Sequence, residues 1–212
     1  MIITVDGPAA SGKGTLARRL AKHYGLPHLD TGLLYRGVGY LMIRENHSLD
    51  DPAAAARVAD ALDPSKLDQK ALRTDAAGEA ASRVAAIPGV RAALLKLQQD
   101  FARQPGGAVL DGRDTGTVIA PDADVKLFVT ASPEERARRR HRELVARGEA
   151  AGYDEVLADI KKRDERDSER SIAPLKPAPD AVLLDTTHLD IEAAFRAAIE
   201  IVEAPRAGRT RP

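Results

Sequence analysis

The first twenty-five residues constrain the fold more than any other stretch of the chain. Ile2-Ile3-Thr4-Val5 is a short β-branched run of the kind that forms a buried strand, and it stops at the breaker cluster Asp6-Gly7-Pro8. From Lys13 onward, Leu16, Ala17, Leu20, Ala21 and Tyr24 recur at helical spacing until Gly25. Between strand and helix lies Gly7-Pro8-Ala9-Ala10-Ser11-Gly12-Lys13-Gly14-Thr15. Two glycines bracketing four residues, then Lys, make a phosphate-binding loop. Glycine lets successive N–H groups turn inward around phosphate oxygens, the helix N-terminus adds about half a positive charge, and Lys13 adds a full one.

Four further apolar runs are bounded by breakers or charges: Pro27 to Leu29, Ala108-Val109-Leu110, Val125 to Val129, and Ala181 to Leu184. Helical patterns separate them. Strands alternating with helices predict a single three-layer α/β/α domain with about five parallel strands. Residues 1–45, 76–132 and 172–204 carry this core. Residues 46–75, with Pro52 and Pro64 and no strong strand pattern, read as a small helical insertion. Residues 133–171 are the most charged segment; Ser132-Pro133-Glu134-Glu135 predicts a capping box, and a break at Gly148 to Gly152 divides two helices. Residues 205–212 are basic and breaker-rich and read as a frayed tail.

Composition removes several classes. Lys plus Arg and Asp plus Glu are 32 each, and aromatics are 3% with no Trp, so neither a basic nucleic-acid surface nor a base-stacking platform is expected. There is no Cys, and His23, His28, His47, His141 and His188 fit no metal-ligand spacing. No apolar run reaches membrane-spanning length and no leader pattern opens the chain, so the expected compartment is the cytoplasm.

A nucleotide site alone suits a switch GTPase, a motor ATPase or a kinase. A second bank of positive charge favours a kinase with an anionic acceptor. Arg36 lies one turn inside the helix opened by Asp30-Thr31-Gly32. Arg113 sits in the Gly-flanked turn Asp111-Gly112-Arg113-Asp114-Thr115-Gly116 after the third strand, and Arg163, Arg166 and Arg170 share a helical face with Asp167 beside them. Ligands of such sheets bind beyond the strand C-terminal ends, which puts these turns and the phosphate loop on one crevice. Arg138, Arg142, Arg147, Lys161 and Lys162 read as a solvated face. Another nucleotide or small-metabolite kinase, or a switch-type NTPase, are the competing readings.

The phosphate loop, in its Gly-Lys-Gly-Thr form, the segment Leu29 to Arg36, Ser82 to Arg91, Leu110 to Val118 and Arg163 to Ser171 together resemble bacterial cytidylate kinase, a P-loop kinase of the nucleoside monophosphate type. The likeness spans Ile2 to Glu203 and implies phosphoryl transfer from ATP to CMP or dCMP. It implies that Gly7 to Thr15 and Arg139 hold ATP, and that Mg²⁺ is held by phosphates and water with Thr15 nearby and no direct protein ligand. It implies that Ser82, Arg91 and Asp114 meet the cytosine edge, with Thr31 on the same nucleotide. Arg36, Arg113 and Arg170 would meet its phosphate, and Arg163 with Asp167 its sugar; Lys13, Arg113 and Arg170 would be the catalytic set. Residues 46–75 would be a shortened nucleotide-binding insertion, 133–171 an Arg-rich lid, and the protein a monomer. Two departures stand out: residues 46–75 lack the family's small antiparallel sheet, and Ala9 replaces a frequent Ser.

Overall fold

The computed structural model describes residues 1–68 and 71–207. Strands β1 (Ile2–Asp6), β2 (His28–Asp30), β3 (Ala108–Gly112), β4 (Val125–Thr130) and β5 (Val182–Asp185) pair in parallel in the order β2-β3-β1-β4-β5. β1 is central, with Ile3 beside Val109 of β3 and Val125 of β4. The helices are α1 (Lys13–Tyr24), α2 (Thr31–Arg44), α3 (Pro52–Asp60), α4 (Asp75–Val84), α5 (Pro88–Ala102), α6 (Pro133–Ala146), α7 (Tyr153–Glu169) and α8 (Ile191–Ala207).

The period-two alternation of the strands builds the layers. Ile3, Val5, Val109, Leu127 and Val129 pack under α1 and α8, against Leu16, Leu20, Ala198 and Val202. Ala108 and Leu110 face the other way, toward Ala102, Ile119 and Ala120. A separate core joins α2 through Leu34, Val38 and Met42 to α3, α4 and α5. Here the segment 46–75 holds α3, capped by Asp51, and two single 3₁₀ turns, with no strand among its described residues. α6 and α7 form an antiparallel arm with its own small core of Ala137, Leu144, Val156 and Ile160.

Three local expectations are corrected. Ser132 Oγ does accept from Glu135 N at 3.2 Å, but the box is not reciprocal: Ser132 N–H goes to Thr187 Oγ1, and the Glu135 carboxylate is taken by Arg138 and Arg139. β5 stands at one edge of the sheet and is only partly covered by the helical layers: Leu184 joins the core while Val182 and Leu183 are exposed. Pro205–Ala207 continue α8 instead of fraying, and residues 208–212 lie outside the described residues.

Candidate active site

The C-terminal ends of the strands open into one cleft of about 960 Å³. Its wall contains Ala9 to Thr15, Thr31, Arg36, Ser82, Arg91, Arg113, Asp114, Arg139, Arg163, Asp167 and Arg170. Of the candidate site residues, Gly7 and Pro8 do not reach that wall, nor does Arg166 of the arginine face, whereas Arg142, Arg147 and Lys162, expected on a solvated face, do line the cleft because the arm that carries them borders it.

The phosphate loop is shaped by close approach. A Cβ on Gly7 would fall 2.0 Å from Val129 O, so the loop crosses β4 only as glycine. Gly12, at φ +89°, is the residue before α1. Lys13 Nζ donates to Pro8 O at 3.1 Å, inside the loop it is to serve. Burial, then repulsion from Arg113, lowers the Lys13 pKa to about 7. Ser11 is fully buried and its Oγ has no hydrogen-bond partner. Gly14 stands where many phosphate loops carry Ser or Thr directly after the Lys, and a Cβ added there would lie 3.3 Å from Asp111 Oδ2. That carboxylate, held through Oδ1 by His28 Nε2 at 2.7 Å, reaches the donor side of the cleft. With Thr15 and Asp30 it supplies only hard oxygen donors. Among the described residues no group of three His, Cys, Asp or Glu could cage an ion. Such a donor set fits a Mg²⁺ that keeps most of its waters.

The opposite bank is a network of guanidinium groups threaded by two acids, Asp167 and Asp114. Asp167, on α7, accepts from Ser82 Oγ at 3.0 Å and Arg113 Nε at 2.8 Å, with Arg163 Nε 4.0 Å away. Burial would raise the Asp167 carboxyl, but Arg113 and Arg163 outweigh it and bring the pKa down to about 2. Arg163 is itself lowered to about 10, by burial and then by Arg113. Arg36 donates to Leu72 O and Thr74 O, and it meets Arg163 over Gly78, where a Cβ would lie 3.1 Å from Arg163 Nη1 and 3.3 Å from Arg36 Nη2. Arg91 is paired with Asp114, and Arg170 Nη2 lies 3.8 Å from the other Asp114 oxygen. Arg163 Nε and Arg170 Nη2 are buried without a hydrogen-bond acceptor. Unsatisfied buried cationic donors are costly, and an anion placed among them removes that cost. Thr31 Oγ1 donates to Asp111 O, fixing the mouth of α2 against β3.

Arg139 sits across the loop from this bank, donating to Thr186 O at 2.6 Å, Thr186 Oγ1 at 3.0 Å and Ser11 O at 3.4 Å. Sequence reasoning missed several neighbours. Leu189, Ile191 and Ala194 give this end of the cleft an apolar lining, and nothing in the sequence around the start of α8 separates them from core. Tyr35, under the Arg91 guanidinium, also lines the cleft. Arg136 is a third case: almost wholly buried, it donates to Ala131 O, to Ala9 O of the phosphate loop and to both Asp164 oxygens. Its only signal was one more Arg in an Arg-rich run.

A parallel sheet in this order, a phosphate loop after its central strand and a facing arginine bank define a P-loop kinase. Residues 3–204 match the family model described as cytidylate kinase. The chain is 68% identical over 209 residues to a cytidylate kinase of Xanthobacter autotrophicus, covering 99% of this chain and all of that one. It is 64% identical over 211 residues to a cytidylate kinase of Rhodopseudomonas palustris, with full coverage of both. This chain belongs to the cytidylate kinase family. A crystal structure of an uncharacterized protein from Eubacterium ventriosum shares the fold at a TM-score of 0.54 and 16% identity, covering 96% of this chain and 98% of that one.

Proposed function

We propose that the chain transfers the γ-phosphoryl group of ATP to the 5′-phosphate of CMP or dCMP, giving CDP or dCDP and ADP. The observation that carries this reading is the joining of Ser82, Arg91, Arg113, Asp114, Arg163, Asp167 and Arg170 to the phosphate loop in one cleft, in a member of this family. The acceptor is already an anion, so the reaction needs no general base; catalysis is positioning plus neutralisation of charge. Lys13 and the loop N–H groups of Ala9 to Thr15 hold the donor phosphates. Arg36, Arg113 and Arg170 take the acceptor phosphate. Arg113 is suited to this because Asp167 and Gly112 O hold its Nε and Nη1, leaving Nη2 for a ligand. Arg163 and Asp167 meet the sugar, and Ser82, Arg91 and Asp114 the cytosine edge, with Thr31 at the cleft mouth. Asp114 accepts from the exocyclic amine of cytosine, where uracil presents a carbonyl; such a site rejects the wrong base by up to about 10⁴-fold. Arg139, with the apolar patch of Leu189, Ile191 and Ala194, receives the nucleoside end of ATP. Thr15 and Asp111 would hold a hydrated Mg²⁺ beside the donor phosphates, and the ion when bound would supply charge neutralisation. The arm α6–α7 acts as the lid that excludes water. The protein acts as a monomer in the cytoplasm, and no described helix is long and apolar enough to cross a membrane.

The test is ADP release with Mg·ATP against CMP, dCMP, UMP, AMP and GMP, with a no-acceptor control. Turnover with CMP and dCMP well above the rest is expected. Release without acceptor would replace this reading with an ATPase, and release with another nucleotide alone would overturn the roles of Arg91 and Asp114.

A further inference from the structure

Asp6, the last residue of β1, has no part in the mechanism above, yet it is buried between the two halves of the site. Oδ1 accepts from Thr115 N at 2.9 Å and Thr115 Oγ1 at 2.8 Å, and Oδ2 accepts from Gly116 N at 2.8 Å. These N–H groups open a single π-type turn, Thr115–Ile119, that begins directly after Asp114. The first N–H groups of any helical turn have no partner within it, and in a buried turn they need an acceptor from elsewhere. The π form, with Ile119 N reaching back to Asp114 O at 3.3 Å, leaves Asp114 outside the turn at φ −143° and ψ 22°. Its carboxylate is therefore aimed from two directions: Arg91 grips the side chain, and Asp6 grips the main chain that follows.

We propose that Asp6 is a positioning residue for base selectivity, its carboxylate holding the 114–116 turn so that Asp114 is presented to the cytosine amine. This rests on the role of Asp114 proposed above. Asp6 also immediately precedes Gly7, so one carboxylate ties the root of the phosphate loop to the base-reading turn. Any displacement of that turn moves Asp114 relative to the donor site.

The electrostatics give this tether a pH signature. Burial, opposed in part by its hydrogen bonds from Gly116 and Thr115, raises the Asp6 pKa to about 6. The charged groups that face it are Asp114, which opposes its ionisation, and Lys126, whose stem passes Gly116 but whose ammonium is engaged by Pro121 O and Asp180. Protonation puts an O–H where an N–H or O–H already points, so the turn loses an acceptor. Since folding favours the protonated form, this loosens the turn without unfolding the protein.

The experiment is kcat/KM for CMP and for UMP, with KM for ATP, from about pH 5 to about 8. Wild type is compared with Asp6→Asn, Thr115→Val and Asp114→Ala. Both acceptors carry the same 5′-phosphate, so its titration cancels in the CMP/UMP ratio. Wild type is expected to hold its ratio above about pH 7 and lose it below about 6. Asp6→Asn, which places an amide against an N–H, is expected to lower the ratio about tenfold and flatten its pH dependence, with KM for ATP changed by less than about threefold. Thr115→Val, which deletes one of the three donors, falls between, and it decides the matter if Asp6→Asn does not fold. An unchanged ratio in Asp6→Asn, or in Thr115→Val where only that variant folds, sinks the inference, as does an equal loss toward ATP. If Asp114→Ala leaves the ratio untouched, the base-reading role itself has failed. If Asp114→Ala collapses the ratio and Asp6→Asn does not, the positioning role alone is wrong.

Discussion

At the scale of single residues, the cleft works by placing cations where burial makes their charge expensive until phosphate arrives. Lys13→Ala or Arg113→Ala is expected to lower kcat by about 10³-fold or more, the scale of a phosphate-clamp residue. A drop under about tenfold in steady-state turnover at both positions would remove them from the mechanism. The depressed Lys13 pKa adds a proton-linked signature. Because the folded-state value lies near 7 and the ordinary one at 10.5, the unfolded chain binds more protons between those limits. Stability of the unliganded protein therefore rises with pH across that window. Donor phosphates restore the charged form, so nucleotide binding at about pH 8 should take up close to one proton, and far less at about pH 6. Calorimetry in buffers of differing ionisation enthalpy measures this, and Lys13→Met should abolish it. The residue types and their spacing were legible for Lys13, Arg36, Arg113 and Asp114, since each stands in a Gly-bearing turn or at a helix mouth. The contacts of Arg136 and the pairing of His28 with Asp111 were not, because both join residues far apart in the chain.

At the scale of elements, the arm α6–α7 is more firmly attached than a charged surface helix pair would be. Its attachment runs through Arg136, which links α6 to Asp164 on α7 and to Ala9 of the loop, and through Arg140 to Asp75 and Arg166 to Glu79 on α4. The last two pairs are exposed in part and contribute little singly. The first is different. Arg136→Ala leaves Asp164 and two backbone carbonyls, Ala131 O and Ala9 O, without their donor, at a cost of about 3 kcal/mol. In a domain of this size that lowers the melting temperature by roughly 6–12 °C. A thermal melt showing a loss under about 2 °C would mean the arm is held by its apolar core instead. The helical identity of both α6 and α7, and the break between them at Gly148 to Gly152, were readable from charge periodicity and glycine. Which arginines would be buried was not, because burial depends on what packs over the helix.

At the scale of the whole molecule, β1 is shared by everything: its side chains fill the core under α1 and α8, and its end supplies both the phosphate loop and Asp6. The sheet edge is the contrasting case. Leu127→Ala, in β4 at 1% exposure, should cost about 2–5 kcal/mol, whereas Leu183→Ala, in β5 at 62%, should cost well under 1. Chemical denaturation of the two variants checks it; equal losses would mean that the exposed face of β5 is covered. The five strands, the phosphate loop and the helical character of residues 46–75 were decided by local pattern, because period-two and helical repeats, glycines and prolines act within a few residues of chain. Strand order, the half-made cap at Ser132, the edge position of β5 and the convergence of Ser82, Arg113 and Arg163 on Asp167 were decided by the tertiary structure alone. Those features depend on which segments the sheet crossovers bring together, and contacts between residues tens of positions apart leave no periodicity in the sequence.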